Sequence, residues 1–161
     1  MSSKQTIVVA INLIALSAAL LIVGFTISVK YGGVILGLAL ILYLLSVALL
    51  FWVSRNHRKH LLLYSLTIFI TFFSSWVGVN FLDWISIYRH GDVGPGGGWS
   101  IAIGSIFLSL LLGTGLLVSA SLAHIRSING SPNASRLIPN NYYVLCLTWL
   151  SVILLLAFNI W

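Results

Sequence analysis

Two histidines lie at positions in the sequence where their imidazole side chains could bind a cofactor. His60 begins one long apolar stretch and His124 follows another, so antiparallel packing of the two stretches would place both imidazoles at a similar depth. Neutral imidazoles on facing helices can serve as the two axial ligands of a haem, and helix bundles build cofactor sites from facing side chains. A haem site formed by His60 and His124 is therefore one hypothesis.

The same two histidines lie beside basic residues that suit a second interpretation, which we favour. Histidine and basic side chains at the membrane interface contact lipid phosphates and set the topology of the chain. The basic residues to which we assign this role are Arg55, Arg58, Lys59, Arg126 and Arg136.

Other site chemistry is poorly represented in the sequence. Cys146 is the single cysteine, which excludes an internal disulfide and a cysteine-rich metal or iron–sulfur site. Asp83 and Asp92 are the only acids, and no serine or cysteine accompanies both a histidine and an acid in a recognisable arrangement. A nucleophilic enzyme is therefore poorly supported, and we expect no catalytic activity of the chain's own.

The composition indicates a membrane protein. Of the 161 residues, 60% are hydrophobic and only 6% are charged, with a mean hydropathy of +1.09. A soluble domain needs about a quarter of its residues charged. The net charge of +6 would suggest nucleic acid in a soluble protein, but most of these cations lie between apolar stretches, so we expect lipid headgroups as their partners and no nucleic acid.

Five apolar stretches are each long enough to cross a hydrocarbon core of about 30 Å as a helix. Their approximate bounds are 7–29, 34–53, 61–82, 99–123 and 142–161. The stretches show no alternation of polar and apolar residues, which argues against strands. The expected fold is an all-α bundle of five transmembrane helices. It forms a single polytopic domain over 1–161, because the loops are too short to fold independently.

The connections between these stretches are predicted to be turns and loops. Residues 30–33 contain two glycines and predict a tight turn. Residues 83–89 alternate aromatic, apolar and charged side chains, which is typical of a segment in the headgroup layer. Residues 124–141 are polar and rich in turn-forming residues, and they predict a loop.

The distribution of basic residues predicts the orientation of the chain. With five spans, six cations and no acids lie on the side that holds Lys4 and residues 55–60. The other side holds two cations, Lys30 and Arg89, together with both acids. The positive-inside rule places the first side in the cytoplasm. The N-terminus is then cytoplasmic and the C-terminus lies on the outer side.

Small and hydroxyl-bearing residues recur at helical spacing in several spans. Such residues let helices approach closely and form hydrogen bonds between them. We expect the third and fourth spans to pack as a hairpin through these residues, with a narrow polar path or ligand cleft as the alternative. The residues predicted to mediate helix packing are Gly33, Gly37, Ser74, Gly78, Ser109 and Gly113.

No charged residue lies deep in any predicted span, which argues against an ion-coupled transporter. The remaining apolar helix surface suits association with other membrane proteins or with a second copy. The sequence therefore favours a non-catalytic accessory or assembly subunit of a membrane protein complex. The alternatives are a haem-binding electron-transfer subunit and a small transporter or channel.

Overall fold

A computed structural model describes residues 2–26, 29–90, 97–130 and 140–159, which contain five α-helices and no strand. The helices are α1 (Ser3–Thr26), α2 (Val29–Ser54), α3 (Arg58–His90), α4 (Gly97–Ile128) and α5 (Asn140–Asn159). The all-helical fold class predicted from the sequence is confirmed for these residues.

Four helical segments are long and apolar enough to cross a membrane. They are Ser3–Thr26, Gly32–Ser54, Arg58–Phe81 and Gly104–Ile128. The chain is therefore consistent with a multi-pass integral membrane protein. The fifth predicted span corresponds to α5. Over its described residues, α5 is not one of these four segments.

Two predicted connections are helical instead. Residues 83–89, expected to lie in the headgroup layer, continue α3, which has 33 residues and a length of about 50 Å. Residues 30–33, expected to form a tight turn, belong to the first turns of α2. Within the described residues only Gly130 has a positive φ, of 71°, so the glycines of α2 are not used for an unusual backbone conformation.

The predicted loop over 124–141 is also shorter than expected. The last turns of α4 continue through His124 to Ile128, so this histidine lies inside a helix. Polar residues at the end of an apolar stretch do not stop a helix, because backbone hydrogen bonding continues until a breaker or a cap intervenes. The segment 131–139 lies outside the described residues.

The helices pair into two antiparallel hairpins. In the first, the Ser17 hydroxyl of α1 donates a hydrogen bond of 2.7 Å to the Ala39 carbonyl of α2. In the second, His60 lies against His124, and Thr71 lies against Gly113. Residue numbers that rise in α3 pair with numbers that fall in α4, as antiparallel packing requires.

The hairpins pack together through α1 and α4, whose Phe25 and Phe107 rings stack with centroids 4.4 Å apart. The outer helices of the two hairpins, α2 and α3, approach each other much less closely. Their separation leaves a cleft along one side of the bundle. The last helix, α5, lies mainly on α4.

Candidate functional site

The candidate site lies where the turn between α2 and α3 meets the last turns of α4. It comprises His57, His60, Tyr64 and His124, which we call the histidine cluster. The cluster follows from the hairpin of α3 and α4, because antiparallel packing brings the beginning of α3 beside the end of α4. His60 and Tyr64 are one helical turn apart and project from the same face of α3.

The short turn before α3 positions His57 at the edge of the cluster. The His57 amide donates a hydrogen bond of 2.8 Å to the Ser54 carbonyl at the end of α2. The His57 carbonyl accepts hydrogen bonds from the amides of His60 and Leu61, at 3.0 and 3.1 Å. These bonds close the first turn of α3 and hold His57 and His60 beside each other.

The rings of His60 and His124 stack face to face. Their centroids are 3.9 Å apart and their planes differ by 14°. The His57 ring meets the His124 ring edge-on, with centroids 5.8 Å apart. Stacked imidazoles are compatible with each other when neutral, but two positive charges in contact would repel.

His124 is the buried member of the cluster. Its side chain is 1% exposed, and its Nδ1 atom lies 3.2 Å from the Tyr64 hydroxyl, at hydrogen-bonding distance. Its Nε2 atom is buried without a hydrogen-bond partner among the described residues. His60 is half-buried and His57 is exposed, so the cluster runs from the surface into the bundle.

The stacked geometry bears on the haem hypothesis. An iron bound by an imidazole nitrogen lies in the plane of that ring, and two axial ligands approach it from opposite sides. In the face-to-face arrangement of His60 and His124, binding one iron between them would require at least one ring to turn out of the stack. Among the described residues, no group of three or more histidine, cysteine or acidic side chains has an arrangement that could hold a metal ion.

The basic residues assigned to lipid contacts surround this end of the bundle. Arg55, Arg58 and Lys59 are exposed beside the turn that leads into α3. Arg126 is exposed in the last turn of α4, two residues beyond His124. These positions suit contact with anionic headgroups. Arg136 lies outside the described residues.

Hydroxyl groups continue inward from the cluster along α3. The Thr67 hydroxyl donates a hydrogen bond of 2.8 Å to the Leu63 carbonyl and also meets the Tyr142 hydroxyl of α5. The Thr71 hydroxyl donates a hydrogen bond of 2.8 Å to the Thr67 carbonyl. These two hydroxyls are therefore satisfied within their own helix, whereas those of Ser105, Ser109 and Ser121 on α4 are buried without a hydrogen-bond partner among the described residues.

The residues predicted to mediate helix packing fall into two groups. Ser74, Gly78 and Ser109 are buried, and Gly113 of α4 lies in tight contact with Thr71 of α3. A Cβ atom placed on Gly113 would be 2.5 Å from the Thr71 hydroxyl oxygen and 2.9 Å from the Tyr43 hydroxyl oxygen.

Gly33 and Gly37 have different surroundings. A Cβ atom on either glycine would meet no atom within 4 Å, so within the described chain no helix packs closely against them. Their role in helix packing stays a prediction.

Three site residues were not singled out by the sequence. His57 was seen only as part of the basic run, although its spacing of three residues from His60 is a helical signal. Tyr64 contacts His124 across the hairpin, which the sequence pattern does not reveal. Tyr142 begins an apolar stretch, yet it is 3% exposed and its hydroxyl meets Thr67 inside the bundle.

Long apolar helices, a polar interior face and a ring of exposed basic residues define an α-helical multi-pass membrane protein. Comparison with known proteins identifies no matching family model, curated protein or solved structure.

Proposed function

We propose that the chain is a non-catalytic accessory subunit that associates with another membrane protein through the outer face of α1. The observation that carries this proposal is Asn12. Its side chain is exposed nine residues into α1, or about 14 Å along the helix axis, which is near the middle of the span. Val8 and Leu16, one turn away on either side, are exposed and apolar, so Asn12 lies on an apolar surface.

Asn12 differs from three other exposed polar residues of the helices, Thr148, Ser151 and Asn80, which bond to their own helix. The Thr148 and Ser151 hydroxyls of α5 donate hydrogen bonds of 2.9 and 3.0 Å to carbonyls of their own helix. Asn80 of α3 likewise donates a bond of 2.7 Å to the Trp76 carbonyl. Asn12 forms no hydrogen bond with the described residues. An unpaired amide in hydrocarbon costs several kcal/mol, which a polar group on a partner helix would remove.

The association is tested by replacing Asn12 with leucine. The change removes the amide and keeps the side chain volume similar, so folding is preserved while an interhelical hydrogen bond is lost. Such bonds contribute about 0.6–2 kcal/mol, so we expect about three- to thirty-fold weaker association. Native mass spectrometry and native gels after extraction in mild detergent measure the fraction of the chain in complex.

The matched control is Thr148→Val on the outer face of α5. The Thr148 hydroxyl is satisfied within its own helix, so its removal should leave association unchanged. Recovery of the wild-type chain as a lone monomer, with no co-purifying membrane protein, would contradict the accessory role. An equal loss of association in both variants would show that Asn12 makes no specific contribution to the association.

The proposal includes the orientation and the number of spans. We propose that α5 forms a fifth span, with the N-terminus in the cytoplasm and the C-terminus on the outer side. The basic residues support this orientation, because the exposed Arg55, Arg58, Lys59 and Arg126 share the end of the bundle that holds the histidine cluster.

Cysteine labelling tests this topology in a Cys146→Ser background. A membrane-impermeant maleimide should label Asn129→Cys from the cytoplasmic side only, and Gly97→Cys and Trp161→Cys from the outer side only. Swapped accessibility of the first two positions would reverse the orientation. Labelling of Trp161→Cys from the cytoplasmic side would show that α5 does not cross.

The two alternative functions have less geometric support. Haem-linked electron transfer requires His60 and His124 to leave their stack. Transport along a polar path between α3 and α4 requires hydroxyls that are free to bind water or solute. Those of Thr67 and Thr71 donate to helix carbonyls. On these two helices, buried hydroxyls without a partner among the described residues belong only to Ser105, Ser109 and Ser121 of α4. Association through the unpaired amide of Asn12 requires no change in the structure.

A further inference from the structure

The three imidazoles of the histidine cluster are in contact at one end of the α3–α4 hairpin. His60 and His124 stack with ring centroids 3.9 Å apart. The His57 ring lies 5.8 Å from the His124 ring and 6.3 Å from the His60 ring, measured between centroids. Histidine ordinarily gains a proton at about pH 6.5, so its charge changes within the physiological range. Two helices are therefore joined here through groups whose charge depends on pH.

The charged groups at this end of the bundle are basic in the described part of the chain. Those nearest in sequence to the cluster are exposed, and they are Arg55, Arg58 and Lys59 before and within the first turn of α3 and Arg126 in the last turn of α4. Helix α1 adds the exposed Lys4, because α1 is antiparallel to α2 and therefore begins where α2 ends.

The other titratable neighbours of the cluster are two tyrosines. Tyr64 of α3 lies 3.2 Å from Nδ1 of His124, and Tyr142 of α5 meets Thr67, one turn deeper. A tyrosine is neutral below about pH 10, so neither can offset a positive charge. Asp83 is 23 residues further along α3 than His60, or about 35 Å away. The described residues therefore supply no negative charge to a protonated cluster.

Burial makes a proton on His124 particularly unfavourable. The side chain is 1% exposed, and its Nε2 atom has no hydrogen-bond partner among the described residues. A positive charge at this position would be neither hydrated nor paired. The half-buried His60 can take up a proton from water, but a second proton on His124 would place two positive charges in one stack.

We propose that the histidine cluster is a pH-sensitive switch, in which the stack of His60 on His124 closes this end of the hairpin at neutral pH and separates in mild acid. Imidazoles that have separated are hydrated and bind protons more readily than the stacked pair. Because the open form binds more protons than the closed form, a fall in pH favours the open form.

The opening is confined to the end of the hairpin that holds the cluster. Thr71 contacts Gly113 tightly, 11 residues further along α3 than His60 and so about 16 Å deeper. That contact contains no histidine, and the pH does not change its packing. The two helices therefore stay together there while the beginning of α3 moves away from the end of α4.

The test measures the distance between spin labels on Asn56→Cys and Asn129→Cys in a Cys146→Ser background, with the purified chain in nanodiscs of neutral lipid. Both positions are exposed and uncharged; one precedes His57 directly and the other is five residues beyond His124. Electron paramagnetic resonance should give a longer distance at about pH 5 than at about pH 7.5, on the two sides of the histidine titration. The expected increase is about 2 Å or more, the scale of helix shifts in switching proteins.

Three variants test whether the stack is responsible. His60→Phe combined with His124→Phe keeps two stacked rings that cannot be protonated, so the distance should be the same at both pH values. His60→Gln, at a half-buried position, removes one of the two charges and should reduce the shift, and this result does not require the double variant to fold. His90→Phe is the matched control at the far end of α3, about 45 Å from His60, and should retain the full shift.

Equal distances at the two pH values in the chain with all its histidines would overturn the switch. A full shift in the double phenylalanine variant or in His60→Gln would overturn the role of the stack, because other groups would then respond to acid. Loss of the shift in His90→Phe would overturn the assignment of the switch to this end of the hairpin.

Discussion

Gly113→Ala is expected to destabilise the bundle by about 1–3 kcal/mol, the usual cost of adding an atom to a well-packed interior. The new Cβ atom would lie 2.5 Å from Oγ1 and 2.7 Å from Cγ2 of Thr71. Because both γ atoms of this β-branched side chain are in the way, rotation about χ1 cannot relieve the clash. The helices α3 and α4 would have to separate.

The measurement is unfolding of the purified variant in detergent, followed by tryptophan fluorescence. Gly104→Ala on the same helix is the control, since a Cβ atom there meets nothing within 4 Å. Adding Thr71→Ala to Gly113→Ala should recover much of the lost stability, because it removes both clashing atoms. Equal unfolding midpoints for Gly113→Ala and Gly104→Ala would show that the helices are not in close contact at this position.

His124→Ala is expected to lower the free energy of unfolding by about 2–4 kcal/mol, as truncation of a large buried side chain does. The change removes the ring that stacks on His60 and leaves the Tyr64 hydroxyl without its partner on α4. A buried hydroxyl that loses its partner adds to the cost of the cavity.

His57→Ala is the control for this prediction because His57 belongs to the same cluster but is exposed. Its effect should stay within about 0.5 kcal/mol, as is usual for surface substitutions. Unfolding in detergent compares the two variants directly. A loss in His57→Ala as large as that in His124→Ala would indicate that burial does not decide which imidazole supports the hairpin.

Membrane insertion and helical class could be predicted from composition alone. A bilayer offers the backbone no water to bond with, so a long apolar stretch with few charges becomes a helix. The hairpin of the third and fourth spans could also be anticipated, because a short connection between two such stretches requires antiparallel neighbours. That reasoning placed His60 and His124 at one end of the bundle, where their rings stack.

The ends of the helices were less predictable. Residues 30–33 and 83–89 contain glycines, aromatics and charges that suggested a turn and an interfacial segment, yet they belong to α2 and α3. Local composition is a weak guide here, because α-helical hydrogen bonding can extend beyond the apolar core wherever no breaker interrupts it.

What the sequence determined by itself is the class of protein, through the apolar composition and the length of its segments. The tertiary structure alone decided what individual residues of the same type do. Gly113 faces Thr71 across a tight helix contact, whereas Gly37 borders an open cleft. Tyr142 is buried against Thr67, whereas Tyr143 is 57% exposed. Helical spacing shows which residues share a face, but only the packing of the helices determines what that face meets.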